Sequence, residues 1–258
     1  MPDPDVPDKG REKQGRAKPG SGAMLDFDRY EVLTFDCYGT LIDWEAGILA
    51  ALRPPLAAHG IAAPDGSLLE AFAQHEAELE AGPYRPYRNV LGGVLTALLT
   101  GFGRTASPDE RAAFGGSVAN WPAFPDSAAA LARLHARFKL GVITNCDDDL
   151  FAASEAKLGV SFDWVVTAQQ AKRYKPNPRG FELAFERIGL PPSRILHVAQ
   201  SLFHDHVTAK RLGLSTVWVD RRGDRPGGGA TPPAAATPDL AVPDMATLAS
   251  LAAPAAPS

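Results

Sequence analysis

An apolar run that stops on an acid constrains this chain more than any other stretch. Val32, Leu33, Thr34 and Phe35 favour a β-strand, and Asp36 follows directly, with Gly39 and Thr40 close behind. Nearly continuous hydrophobicity implies burial on both faces, as in a parallel sheet. A strand that delivers a carboxylate to its C-terminal end and then turns on glycine places a charged group in the crevice where open α/β sheets bind ligands. Asp36 is therefore read as a nucleophile.

The remaining pattern supplies such a sheet. After a first strand over Tyr30 to Asp36, a helical pattern runs from Trp44 to Gly60, with Pro54 and Pro55 expected to break or kink it. Helical spacing recurs over Leu68 to Ala81, Tyr87 to Leu99 and Pro108 to Val118. No strand is predicted between Trp44 and Asn120, so residues 44–120 read as an inserted helical domain. The chain then alternates. Helices are expected over Ser127 to Phe138, Asp149 to Leu158, Arg179 to Ile188 and Phe203 to Leu212. Strands are expected over Leu140 to Thr144, Asp163 to Thr167, Ile195 to Ala199 and Thr216 to Val219. Alternation of this kind implies right-handed crossovers and an α/β fold with a doubly wound parallel sheet. Asp239 to Leu251 adds a peripheral strand or turn and a short helix. The sheet domain is thus 24–43 plus 121–251, between disordered tails at 1–23 and 252–258.

Composition narrows the function. A net charge of −4 with both signs dispersed is no nucleic-acid or membrane footprint. No apolar run is long enough to span a bilayer and no secretory signal is evident, so a reduced cytoplasm is expected. The two cysteines, Cys37 and Cys146, are expected to form neither a disulfide nor a zinc site.

Four polar clusters follow apolar strand runs: Asp36 to Thr40, Thr144-Asn145, Lys175, and Ser201 to Asp205. Each alone reads more readily as a cap, a turn or a solvated loop residue than as part of a site. Together they converge, because all strand C-termini of a parallel sheet lie on one edge. His204, beside Asp205, can hydrogen-bond a ligand. His59, His75, His135 and His206 lack metal-ligand spacing and read as surface or local hydrogen-bonding groups.

The segments FDCYGTLID, VITN, YKPNP and the strand–helix stretch around Asp205 resemble the haloacid dehalogenase superfamily over roughly Tyr30 to Val219. The helical insert matches that family's cap domain in position and size. Tyr38, two residues after Asp36, is similar to the type II, L-2-haloacid dehalogenase branch; phosphatases of the superfamily usually carry a second Asp there as acid/base. Halide leaves without a proton, whereas an alkyl phosphate is helped by one. The resemblance implies a homodimer formed through the cap. The apolar helix Val90 to Leu99 would supply such a face, although packing within the cap explains it equally.

On this resemblance Asp36 attacks the halogen-bearing carbon of a short carboxylate substrate and forms an ester, which water hydrolyses to a 2-hydroxy acid. Lys175 keeps Asp36 ionised, and Asp205 helps activate the water. Thr40, Tyr38, Thr144 and Asn145, with backbone N–H groups near Tyr38 and Gly39, position nucleophile, substrate and halide. No metal or other cofactor is required. The chain departs from both branches. Gln200 replaces the first metal-binding acid of the phosphatases, Gln200 and Leu202 replace the dehalogenase Ser and Asn, and Phe181 replaces a Tyr. Asp147, Asp148 and Asp149 read as caps of the next helix or as facing the cap domain. Arg85 or Arg88 stands in for the halide-receiving arginine. Two alternatives stay open: a Mg²⁺-dependent phosphatase of a small metabolite, and a weakly active relative that binds a small anion or a partner.

Overall fold

A computed structural model describes residues 25–225 and 227–254. The expected tail at 1–23 lies outside them. Six parallel strands form one sheet: β1 (Val32–Phe35), β2 (Lys139–Thr144), β3 (Trp164–Thr167), β4 (Ile195–Ala199), β5 (Ser215–Val219) and β6 (Leu240–Val242), in spatial order β3-β2-β1-β4-β5-β6. The chain winds outward from β1 through β2 to β3 and returns to β4 on the other side of β1. That reversal makes the β1/β4 boundary the topological switch point, where crevices form at strand C-termini. All four residues of β1 are buried, as an apolar central strand requires.

The insert is helical, as its spacing predicts. It contains α1 (Trp44–Ala58), α2 (Asp65–Glu80), α3 (Tyr87–Gly101) and α4 (Pro108–Gly116), then a 3₁₀ turn at Ser117–Asn120. Asp43 caps α1 by accepting from the Ala46 N–H, and Ser107 and Glu110 form a reciprocal capping box on α4. Pro54 and Pro55 do not end α1. The helix continues through them to Ala58, with Leu52 and Leu56 on either side of the pair both buried, so tertiary packing outweighs the two missing N–H donors. Gly47 permits that packing: a Cβ there would lie 2.2 Å from Cγ of Trp121. Val90, Leu91, Val94, Leu95, Leu98 and Leu99 of α3 are buried within the chain itself, which favours the intra-cap explanation of that apolar face.

Helices α5 (Ser127–His135), α6 (Asp148–Leu158), α7 (Ala168–Ala171), α8 (Arg179–Ile188), α9 (Val207–Arg211) and α10 (Met245–Ala252) complete the domain. Several boundaries differ from expectation, three of them in the sheet domain's helices. The segment expected as one helix over Phe203 to Leu212 opens with a π-helical turn, Leu202–His206, before α9. Helix α5 stops at His135 rather than Phe138. Ala252 belongs to α10 and is buried, so the tail expected over 252–258 does not begin at Ala252; positions 255–258 lie outside the described residues. Cys37 and Cys146 are buried free thiols. Among the described residues no helix is long and apolar enough to cross a membrane.

Candidate active site

Asp36 leaves the C-terminal end of β1, and its backbone N–H still donates to the Val198 carbonyl of β4. The chain then turns at Gly39, whose φ of +90° is the left-handed region that L side chains rarely adopt. A Cβ there would also stand 3.0 Å from the Trp44 indole nitrogen. The turn brings Thr40 back over Asp36, and the Thr40 hydroxyl donates to Asp36 Oδ2 at 2.6 Å. The Gln200 N–H donates to the same hydroxyl oxygen at 2.9 Å. Arg221 donates from Nε and Nη2 to the Thr40 carbonyl and pairs with Asp126, holding the turn from outside.

Lys175 arrives from the loop after α7. Its ammonium has three donors, and all three are engaged: Asp36 Oδ1 at 2.8 Å, Asp205 Oδ1 at 2.7 Å and the Ile143 carbonyl at 2.8 Å. Asp205, on the π-helical turn after β4, also accepts from His197 Nε2 at 3.0 Å, which leaves His197 Nδ1 to accept from the Thr34 hydroxyl at 3.0 Å. Thr34 and His197 are register partners on β1 and β4. A buried line of polar contacts thus runs Thr34–His197–Asp205–Lys175–Asp36–Thr40.

The electrostatics follow from burial and charge. Burial pushes the Asp36 carboxyl above its ordinary value, with the Lys175 ammonium and the Thr40 hydrogen bond pulling the other way. Burial alone would discharge Lys175, but Asp205 and Asp36 outweigh it and hold the ammonium above its ordinary value. Burial also opposes ionisation of Asp205, yet Lys175 and His197 prevail and keep its carboxyl well below the usual carboxylate range.

The structure brings Asp36, Thr40, Lys175 and Asp205 together as the sequence implies. Asn145 is close by, but both ends of its amide hold the Lys175 backbone: Oδ1 accepts from Lys175 N at 2.7 Å and Nδ2 donates to Lys175 O at 3.0 Å. Tyr38 lines the cavity over Asp36, while its hydroxyl turns inward to Ser154 and Cys146. Thr144 is buried at the end of β2 and does not line that cavity. The Gly39 N–H donates to the Ile42 carbonyl and so is not open to a ligand. Neither expected arginine reaches the cavity lining. Arg88 pairs with Asp147 and Asp149 at the seam between insert and sheet domain. Asp147 accepts from the Tyr87 N–H as well, so these acids face the insert rather than capping α6 with their side chains.

The insert contributes groups that sequence reasoning missed. Glu76 and Glu80 of α2 line the cavity with Trp44, Tyr87, Ser201 and His204. Burial raises Glu76 to about 8 despite the hydrogen bond from the Tyr87 hydroxyl at 2.6 Å. Burial and the nearby Glu76 push Glu80 well above the ordinary carboxylate value. A signal was present. Leu69, Phe72, Ala73, Glu76 and Glu80 share one helical stripe, so two acids occupy core spacing. His204, expected to hydrogen-bond a ligand, lines the cavity; burial lowers it to about 4, and its imidazole is neutral at pH 7.

Comparison with known proteins agrees with this arrangement. Residues 30–213 match the family model for haloacid dehalogenase-like hydrolases. The chain is 33% identical over 105 residues to the zebrafish (Danio rerio) haloacid dehalogenase-like hydrolase domain-containing protein 3, a match covering 40% of this chain and 43% of that protein. It is 24% identical over 207 residues to (S)-2-haloacid dehalogenase 4A of Burkholderia cepacia, covering 77% of this chain and 87% of the relative. Among solved structures, the L-2-haloacid dehalogenase of Xanthobacter autotrophicus with chloropropionic acid covalently bound superposes with a TM-score of 0.72 at 23% identity, covering 86% of this chain and 98% of that one. Sheet order, the switch-point carboxylate and the family match together establish that this chain belongs to the haloacid dehalogenase-like hydrolases.

Proposed function

We propose that this protein is a hydrolase of the dehalogenase type, in which Asp36 displaces halide from a carbon beside a carbonyl group. The observation that carries this reading is the fixing of Asp36: Thr40 holds Oδ2, Lys175 holds Oδ1, and Tyr38 stands where an acid/base Asp would serve an alkoxide leaving group. A carboxylate oriented by two donors and buried from water is suited to in-line attack on carbon. The Asp36–carbon bond forms as the carbon–halogen bond breaks, and halide leaves with the bonding pair. Water then adds to the ester carbonyl and returns Asp36 with release of the alcohol. Asp205 keeps Lys175 in place through Oδ1, and its Oδ2 is buried without a protein partner. The covalently bound chloropropionic acid of the Xanthobacter neighbour supports the same step.

A reaction without Mg²⁺ is supported by the Lys175 ammonium, which bridges Asp36 Oδ1 and Asp205 Oδ1 and supplies the positive charge between the two acids. Among the described residues no group of three metal-ligating acids, histidines or cysteines is assembled. Halide release from 2-chloropropionate and 2-chloropropionamide, with and without EDTA, tests the reading beside phosphate release from a general phosphatase substrate. EDTA-insensitive halide release that disappears in Asp36→Asn, with an ester adduct on the Asp36 peptide, is expected. Full turnover by Asp36→Asn would end the covalent mechanism.

A further inference from the structure

His197 occupies a strand position where its neighbours call for an apolar side chain. All five residues of β4 are buried. Leu196 and Val198 join the core on one face of the sheet. Ile195 joins Phe181 and Ile143 on the other, the face that alternation assigns to His197 as well. The His197 and Phe181 rings meet edge-on, with centroids 5.0 Å apart. A polar ring in such a place is costly unless both nitrogens find partners. Both do: Nε2 lies 3.0 Å from Asp205 Oδ1, and Nδ1 lies 3.0 Å from the Thr34 hydroxyl. The Thr34 side chain has room made for it. Its register partner on β2 is Gly141, where a Cβ would stand 3.2 Å from Thr34 Cγ2. Adjacent strands β2, β1 and β4 thus contribute Gly141, Thr34 and His197 at one level of the sheet.

These partners select one tautomer. An ionised carboxylate only accepts, so Nε2 carries the hydrogen; the neutral ring then presents Nδ1 as an acceptor, and the Thr34 hydroxyl donates to it. The consequence reaches the nucleophile through two contacts. Asp205 Oδ1 accepts from both the His197 ring and the Lys175 ammonium, while Oδ2 has no protein partner. Two donors on one oxygen, one from β4 and one from the loop after α7, hold the carboxylate in a single rotation. Without the imidazole N–H, either oxygen of Asp205 can receive the ammonium. The hold of that ammonium on Asp36 Oδ1, at 2.8 Å, would follow the carboxylate as it turns.

We propose that His197 is a positioning residue for the nucleophile: as the Nε2–H tautomer backed by Thr34, it fixes the Asp205 carboxylate and thereby holds the Lys175 ammonium on Asp36. The role rests on the hydrolase reading for the reaction that Asp36 carries out, but part of its test needs no substrate. In ¹⁵N spectra of the full chain at pH 7, with the His197 signals identified by their absence from His197→Gln, the ring is expected to be protonated at Nε2 alone. A ring protonated at Nδ1 alone, or at both nitrogens, overturns the proposal whatever the turnover. Halide release from 2-chloropropionate carries the other part. His197→Phe keeps a ring against Phe181 but donates nothing. Its kcat and first-turnover halide burst are expected to fall about tenfold to a hundredfold, with KM within about twofold of the unaltered value. His197→Gln, whose amide N–H reaches about as far as Nε2, is expected to recover most of that loss. Unchanged kcat in His197→Phe, or the same loss in His197→Gln as in His197→Phe, overturns the proposal and leaves His197 a packing residue. An unaltered chain that shows the single tautomer yet releases no halide would instead remove the hydrolase reading and leave the arrangement about Asp205 standing.

Discussion

Lys175→Met is the perturbation the site geometry predicts most sharply. The ammonium is 3% exposed and lies between two carboxylates that are 8% and 0% exposed. Methionine has similar bulk but no charge, so the change leaves two buried acids facing each other without a cation. Removing one partner of a buried ion pair costs about 3–5 kcal/mol, much of it the uncompensated charge that remains. For a domain stable by about 5–15 kcal/mol this is a large fraction. The pH dependence follows by sign. In the native protein the Asp205 pKa is depressed, so its contribution is present above the unfolded value and is lost as pH falls. In the variant the two carboxyls have raised pKa values, so the variant is favoured at low pH and loses stability as pH rises. Urea unfolding at pH 7 should therefore show a gap of about 3–5 kcal/mol that narrows toward pH 4. Halide release at pH 7 should be lost, because a protonated Asp36 is a poor nucleophile. A gap under about 1 kcal/mol at pH 7, the same at pH 4, would refute the view that Lys175 compensates these acids.

Three further outcomes are expected. Thr40→Val removes the donor to Asp36 Oδ2 and the acceptor for the Gln200 N–H; kcat should fall roughly tenfold to a hundredfold with the fold retained, as steady-state kinetics and circular dichroism would show. Gly47→Ala forces a Cβ against Trp121 and should destabilise by about 1–3 kcal/mol, lowering Tm by roughly 2–12 °C in calorimetry. Glu76 is raised from 4.5 to about 8 by burial, so its contribution is complete below pH 4.5 and is lost as pH rises through about 8. Unfolding free energies of Glu76→Gln should accordingly fall less between pH 5 and 8 than those of the unaltered chain, by up to about 1.4 kcal/mol per pH unit.

Much of the fold could be read from local pattern. The β1 run, the helical spacing of the insert and the strand–helix alternation after Asn120 each report which face of a short segment is buried, and burial is periodic in sequence. Pro54 and Pro55 misled because local propensity is a weak prior where flanking residues such as Leu52 and Leu56 are packed on both sides of the break. The π-helical opening at Leu202–His206 left no period to recognise, since it is a single turn merging into α9.

The same division runs through the site. Asp36, Thr40, Lys175 and Asp205 were legible in the chain, because parallel-sheet topology sends every strand end to one edge and these residues follow strands β1, β3 and β4. What those groups meet is set by the packing of distant elements. That His197 backs Asp205 depends on the β1/β4 register, and that Arg221 clamps the Thr40 carbonyl depends on where the chain leaves β5. That Glu76 and Glu80 face Asp36 depends on how α2 is rotated over the sheet edge. Such pairings join residues from 8 to 181 positions apart. Their energies come from burial and charge compensation, which exist only once the helical insert has closed over the strand ends.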